Sequence, residues 1–210
     1  LKARLATRLP GPEAHARMSS SLRTGGGPDA RGALPRWKPN ARTRQSAVLI
    51  ALYPDRASLR FPLIQRPTYA GVHSAQIALP GGRREPADAT LIDTALREAD
   101  EEVGIHPASV TVLGTLSELF VGASNHLVLP VVGTLPRRPD FRLQAEEVDA
   151  VIEASVEELA RPDRQKVTDL RVRGVDLRAP YFDVDGRVVW GATAMMLSEF
   201  LWLWEEAQME

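Results

Sequence analysis

The sequence predicts an α/β fold, a single domain in which strands and helices are layered on one another. Three observations carry that reading. Apolar runs of strand length recur at 46–53, 59–66, 110–116 and 127–134. An amphipathic stretch from Thr90 to Val103 separates the second run from the third. A mostly apolar stretch from Ala192 to Ala207 closes the chain as a core helix.

Residues 1–45 hold ten Lys and Arg against only Glu13 and Asp29. Ser19-Ser20-Ser21, Gly25-Gly26-Gly27 and the prolines Pro28, Pro35 and Pro39 suit a loop or extended arm. The segment has the look of an organelle transit peptide. The favoured reading is a basic arm lying across the body or reaching a partner subunit, with the domain proper at 46–207.

Ser46 to Tyr53 reads as a buried strand and Leu59 to Arg66 as the next. Gly71 to Ala78 is a loop leading into a short strand, followed by a Gly81-Gly82 turn. The next helix is predicted over 90–103. Thr90 and Asp93 form a capping box, Asp88 competes as N-cap, and Gly104 is the stop. Ile92, Ala95, Leu96, Ala99 and Val103 make its core stripe, and Glu98, Glu101 and Glu102 fall on the far side. Val110 to Leu116 and Leu127 to Thr134 are strands. Val148 to Ala160 holds a strand and then a helix around Ser155, and Asp185-Gly186 marks a hairpin within Val175–Val189.

With 210 residues the chain suits one domain with a full core. It has no cysteine, which removes disulfides, thiolate metal sites and cysteine nucleophiles and fits a reducing, cytoplasmic setting. No apolar run reaches membrane-spanning length. The net charge is −1, yet of 26 basic and 27 acidic residues, sixteen basic and twenty-five acidic ones fall in 46–210. An acidic body argues against nucleic acid as a partner, and no nucleic-acid reading motif is visible.

The chemistry is concentrated between Leu79 and Ile105. Glu98, Glu101 and Glu102 crowd one helical segment just behind the glycine turn. Carboxylates so close repel unless a cation sits among them, and hard divalent ions prefer such oxygen ligands together with substrate phosphates. Acidic helix faces are more often simply solvated. The arrangement decides against that. Arg97-Glu98-Ala99-Asp100-Glu101-Glu102-Val103-Gly104-Ile105 fits the pattern REUxEExGU, in which U is apolar.

That pattern, with a glycine turn before it, resembles the Nudix box. The resemblance implies an α/β/α sandwich with a mixed sheet and a hydrolase acting on the diphosphate of a small nucleotide. Gly82 lies fifteen residues before Arg97, one more than the usual spacing. Counted from Gly82, Asp88 takes the place of the box's first glutamate; counted back from Arg97, that place is Ala89. A carboxylate role for Glu85 or Asp88 therefore stays open. Arg66, His73, Gln76, Ile77, Pro80, Gly81 and Gly82 are similar to the extra signature of the coenzyme A pyrophosphatase subfamily. Ile64, Gly71, Ala75 and Leu79 depart from it. Leu116 to Phe120, Ser124-Asn125 and Trp190-Gly191 are looser likenesses.

By this resemblance Mg²⁺ or Mn²⁺ is the cofactor, ligated by Glu98, Glu101, Glu102 and the Gly82 carbonyl. Glu98 and Glu101 with Arg97 form the catalytic set, Arg97 by pairing with a glutamate and fixing its rotamer. Glu98 is the leading general base, and Glu146 or Glu147 are alternatives on a later loop. Arg66, His73 and Gln76 are expected to contact substrate, and Phe120 and Asn125 are further pocket candidates. A homodimer is common among proteins of this kind and is carried over as an expectation. The resemblance implies cleavage of coenzyme A to 3′,5′-ADP and 4′-phosphopantetheine. The nearest alternative is another nucleoside diphosphate derivative such as ADP-ribose or a dinucleotide. The remote one is a nucleotide-sensing domain without catalysis, since such domains typically lose box carboxylates and all three remain here.

Overall fold

The order of elements follows from where apolar side chains alternate and where glycines and caps interrupt them. The computed structural model describes residues 1–23, 31–32, 38–56, 58–67, 76–172 and 174–209. In chain order they form α1 (Lys2–Leu5), α2 (Pro12–Arg17), β1 (Ser21–Arg23), β2 (Arg31–Gly32), β3 (Arg44–Asp55), β4 (Ser58–Gln65), β5 (Ile77–Ala78), β6 (Gly81–Arg83) and α3 (Leu91–Val103). After these come β7 (Thr111–Thr115), β8 (Leu119–Val121), β9 (His126–Thr134), β10 (Ala150–Ser155), α4 (Val156–Leu159), β11 (Gln165–Val172), β12 (Val175–Val184), β13 (Arg187–Trp190) and α5 (Gly191–Met209).

The central sheet is mixed, with order β10-β4-β3-β9-β7 and with β5, β6 and β8 attached to β4, β3 and β9. β3 runs parallel to β9 and antiparallel to β4 and β6. Its side chains show why both faces must be covered. Ala47, Leu49, Ala51 and Tyr53 pack under α3, whereas Ile50 and Leu52 point the other way, toward α5. Phe61 and Leu63 of β4 join the α5 side, where Phe61 meets Phe200 edge-on. The result is the expected helix–sheet–helix layering in one domain. A second sheet, β11-β12-β1-β2 with β13 beside β12, extends from the α5 side. No helix among the described residues is long and apolar enough to cross a membrane.

Three expectations change. The first eighteen residues, expected as part of an arm across the body or toward a partner subunit, are helical and packed into the core: Leu5, Ala14 and Met18 are buried, and α2 packs on α5. His15 bonds the fully buried Glu199 at 2.9 Å, and that carboxylate also accepts from the Gly11 amide and the Ser117 hydroxyl. Apolar burial anchors this segment, joined by an ion pair between Arg4 and Glu206. Second, β11 was not anticipated. Third, α3 is rotated relative to the predicted stripe: Thr94, Ala95, Ala99, Glu102 and Val103 are buried, while Ile92 and Leu96 are half-buried. Glu102 thus lies on the packed side of the helix.

Candidate active site

The site is built where α3 crosses the glycine turn of β6. Thr90 caps α3 by the predicted reciprocal box with Asp93, and Gly104 ends it in the left-handed conformation that favours glycine, at φ 74°. These caps fix which turn of α3 faces β6. Ala47 and Val48 pair with Gly82 and Gly81 across the β3–β6 ladder, so the backbone of the turn is held flat against the sheet.

Each box carboxylate has a different environment. Glu102 is 1% exposed and accepts from the Gly81 amide at 2.8 Å. Arg66, at the end of β4, lies 3.6 Å from its other oxygen and donates to the Gly81 carbonyl at 3.2 Å. Burial pushes the Glu102 carboxyl up to about 7; Arg66 and the Gly81 amide oppose the rise, while Glu98 and Glu147 add to it. Burial also raises Glu98, against the pull of Arg97. Glu98 lies so close to the turn that a Cβ on Gly82 would sit 2.4 Å from its carboxyl carbon. Glu101 is the open member of the three, its side chain 52% exposed.

Arg97 ties the segment together. It donates to both oxygens of Asp88, at 3.0 and 3.1 Å, to Glu98 at 3.0 Å, to Glu101 at 2.9 Å and to the Arg83 carbonyl at 3.0 Å. The predicted i,i+4 pair with Glu101 is present within this larger network. Asp88 is buried and also accepts from the Thr94 hydroxyl and the Glu85 amide, both at 2.9 Å. Arg97 holds its carboxyl well below the usual carboxylate range. Asp88 is therefore saturated by protein donors, and its role is to anchor Arg97. Arg84 completes the loop by donating to the carbonyls of Asp88 and Ala89.

A family model for the NUDIX domain matches residues 43–172 of this chain. The chain belongs to the Nudix hydrolase family. It is 36% identical over 158 residues to the protein named uncharacterized Nudix hydrolase NudL of Yersinia enterocolitica, a match spanning 75% of this chain and 80% of that one. The Yersinia pestis protein of the same name is 35% identical over 158 residues, which span 78% of its length. Among solved structures, the MutT protein of Methanosarcina mazei has the same fold, with a TM-score of 0.51, 16% identity, and coverage of 80% of this chain and 96% of that chain. A MutT/nudix family protein of Enterococcus faecalis superposes at a TM-score of 0.50 with 16% identity over 84% of this chain and 65% of that one.

In this Nudix site the carboxylates are engaged by protein donors. Among the described residues no three acidic or histidine side chains are already gathered as a metal cage. Arg97 draws Glu98 and Glu101, and the Gly81 amide draws Glu102. The donor set nevertheless fits a hard divalent cation. It consists of oxygens only, and two of its carboxyls are raised by burial and by neighbouring glutamates, a cost that a cation relieves.

The later loop is also in place. Its backbone is stitched to the end of α3, with Arg142 and Gln144 amides donating to the carbonyls of Val103 and Glu102. Of the two acidic candidates there, Glu147 is close enough to add to the rise of both Glu98 and Glu102. Gln76 meets Arg66 through the backbone, its carbonyl accepting the Arg66 amide at 3.0 Å. His73 lies outside the described residues. Asn125 is a turn residue at φ 55° that accepts from Thr43, and Phe120 is paired in β8 with Leu127, so neither joins the acidic cluster. Sequence reasoning left Asp88 undecided and did not see Arg84 or Thr94. The signal for Asp88 was its place, counted from Gly82, at the box's first glutamate.

Proposed function

We propose that this Nudix hydrolase is a metal-dependent pyrophosphohydrolase that cleaves the diphosphate of coenzyme A or its derivatives to 3′,5′-ADP and 4′-phosphopantetheine. The observation that supports this most directly is the position of Arg66. This arginine belongs to the subfamily-like segment rather than to the box, yet it reaches the Gly81 carbonyl and the buried Glu102. Among the described residues its side-chain contacts run through one guanidinium nitrogen, which leaves a fork that suits phosphate oxygens beside the carboxylates.

Glu98, Glu101, Glu102 and the Gly82 carbonyl would hold Mg²⁺ or Mn²⁺. When bound, the ion supplies charge neutralisation at the diphosphate and a lower pKa for the attacking water. The chain's own residues supply the rest. Asp88 holds Arg97, and Arg97 limits the rotamers of Glu98 and Glu101. Gly82 lets the Glu98 carboxylate lie against the turn. Glu98 is assigned as the base that takes the water's proton, with Glu147 across from it as the second candidate. Gln76 and His73 are assigned to substrate by the same likeness.

The test is direct. Protein with Mg²⁺ or Mn²⁺ is offered coenzyme A, ADP-ribose and a diadenosine polyphosphate side by side, with products identified by mass spectrometry. Coenzyme A cleaved to 3′,5′-ADP with the others slow supports the assignment. Preference for another substrate keeps the Nudix chemistry and discards coenzyme A.

A further inference from the structure

A cleft of about 880 Å³ opens at the C-terminal end of α3, between that end and the loop 135–144. Glu101 lines it, so it adjoins the acidic site, but most of its wall has no part in the chemistry above. Its volume is that of a small-molecule pocket, far larger than an ion requires.

The loop forming the far wall is held at several points. The Arg142 and Gln144 amides are bonded to the end of α3. Arg138 makes a two-pronged pair with Glu153 at 2.8 and 2.7 Å, and Glu153 also accepts from Tyr53 at 2.7 Å. Phe141 packs edge-on against Tyr53, with the Arg138 guanidinium 5.3 Å from its ring. Arg138 is thereby spent on holding the loop. Arg137 and Arg142 differ: both line the cleft, both are exposed, and neither guanidinium pairs with a carboxylate among the described residues.

The rest of the lining sets the ligand class. Leu143 is the exposed apolar side chain of the lining, at 46%, with the buried Ile105 and Leu135 behind it. Asp100, on α3, and Asp140, on the loop, are acceptors on the two walls, while Glu101 is already paired with Arg97. Two free cationic forks balanced by two carboxylates do not make a general polyanion trap. They suit a ligand bringing an anion, hydrogen-bond donors and a flat apolar surface together, which describes a nucleoside phosphate.

We infer that this cleft binds the nucleotide half of the diphosphate substrate, with Arg137 and Arg142 on a phosphomonoester remote from the scissile bond. The inference rests on the diphosphate reading of the neighbouring site, and it deepens that reading by locating where the non-reacting phosphate is recognised.

The test uses the full chain and measures binding without turnover. Calorimetric titration of 3′,5′-ADP and of 5′-AMP compares the natural protein with the double variant Arg137→Ala, Arg142→Ala, whose exposed side chains leave the fold intact by circular dichroism. The expected result is tighter binding of 3′,5′-ADP, with its affinity falling at least about tenfold in the variant and that of 5′-AMP changing little. Equal affinity in both proteins, or no binding of either nucleotide to the natural protein, overturns the inference. Coenzyme A hydrolysis is followed separately. Arg-dependent 3′,5′-ADP binding without coenzyme A cleavage keeps the cleft and rejects the substrate. Cleavage with an unchanged KM in the double variant keeps the substrate and rejects the cleft.

Discussion

Gly81 and Gly82 are neighbours in one turn, and alanine at each should fail for opposite reasons. At Gly81, φ is 151° and an added Cβ would lie 2.3 Å from the Ala47 carbonyl oxygen and 2.6 Å from the Val48 Cα. Both are backbone of β3, in the middle of the sheet, and cannot move without parting β3 from β6. Overpacking of this kind together with the unfavourable φ costs roughly 2–5 kcal/mol. For a chain of this size that lowers the melting midpoint on the order of 10 °C. At Gly82 the atoms nearest the added Cβ all belong to the Glu98 carboxylate, at 2.4–2.5 Å. A side-chain end can swing away, so Gly82→Ala should cost only about 1–2 kcal/mol, the scale of a lost charge-assisted hydrogen bond with Arg97. Its effect falls on function. Moving the Glu98 carboxylate by an ångström or more should cut turnover on the order of a hundredfold. Thermal unfolding by circular dichroism and product release under Mg²⁺ measure the two quantities. If Gly82→Ala is as unstable as Gly81→Ala, or is stable with normal turnover, the placement of Glu98 against the turn is wrong.

Other perturbations test other parts of the site. Glu101→Gln should leave the melting midpoint unchanged, because the side chain is half-exposed, while turnover falls by orders of magnitude. Asp88→Asn should reduce turnover by releasing Arg97 and lower stability by roughly 1–3 kcal/mol, since a buried carboxylate with four donors is lost. The pH dependence follows from Glu102. Its folded pKa of about 7 lies above its usual 4.5, so it stabilises below pH 4.5 and that contribution is lost as pH rises toward 7. In chelator this amounts to roughly 3 kcal/mol and should vanish in Glu102→Gln; a pH-stability curve identical for both proteins would refute it. Adding Mn²⁺ near pH 6.5 should release a proton from the natural protein, and Glu102→Gln should release less. Deleting residues 1–18 should abolish cooperative unfolding, because it uncovers Leu5, Ala14 and Met18 and leaves Glu199 buried without His15. A soluble, cooperatively melting truncation would show the segment to be dispensable.

What the sequence displayed were the elements whose causes are local. α3 was legible because a capping box, a 3.6-residue apolar period and a stop glycine agree over one stretch. β3, β4 and β9 were legible as apolar runs, and the hairpin from Asp185-Gly186. What it concealed were elements whose partners are distant. β11 pairs along its whole length with β12 yet exposes half its side chains, including Lys166, Asp169 and Arg171, so no core period marks it. β1 is three residues long and finds its partner in β12, more than 150 positions away. Residues 1–18 read as an arm because their charge is conspicuous. Their apolar spacing, with Leu1, Leu5 and Leu9 four apart, carried the opposite signal and is what the core uses.

The same division between local and distant causes explains the site. Three glutamates on one helix are visible in the string, but their inequality is not. Glu102 is buried because β6 crosses α3 at that turn, Glu101 is exposed because nothing does, and Glu98 is set between them by a glycine sixteen positions earlier. The one-residue insertion before Arg97 looked like a loss, since it removes a carboxylate from its usual place. In the folded chain it delivers Asp88 to Arg97, with Thr94 and the Glu85 amide behind it. An arginine held so firmly can in turn hold two glutamates that repel each other. Asp88 thus serves as a fixed support for Arg97, and deleting Ala89 to shorten the loop should disturb that support and lower turnover.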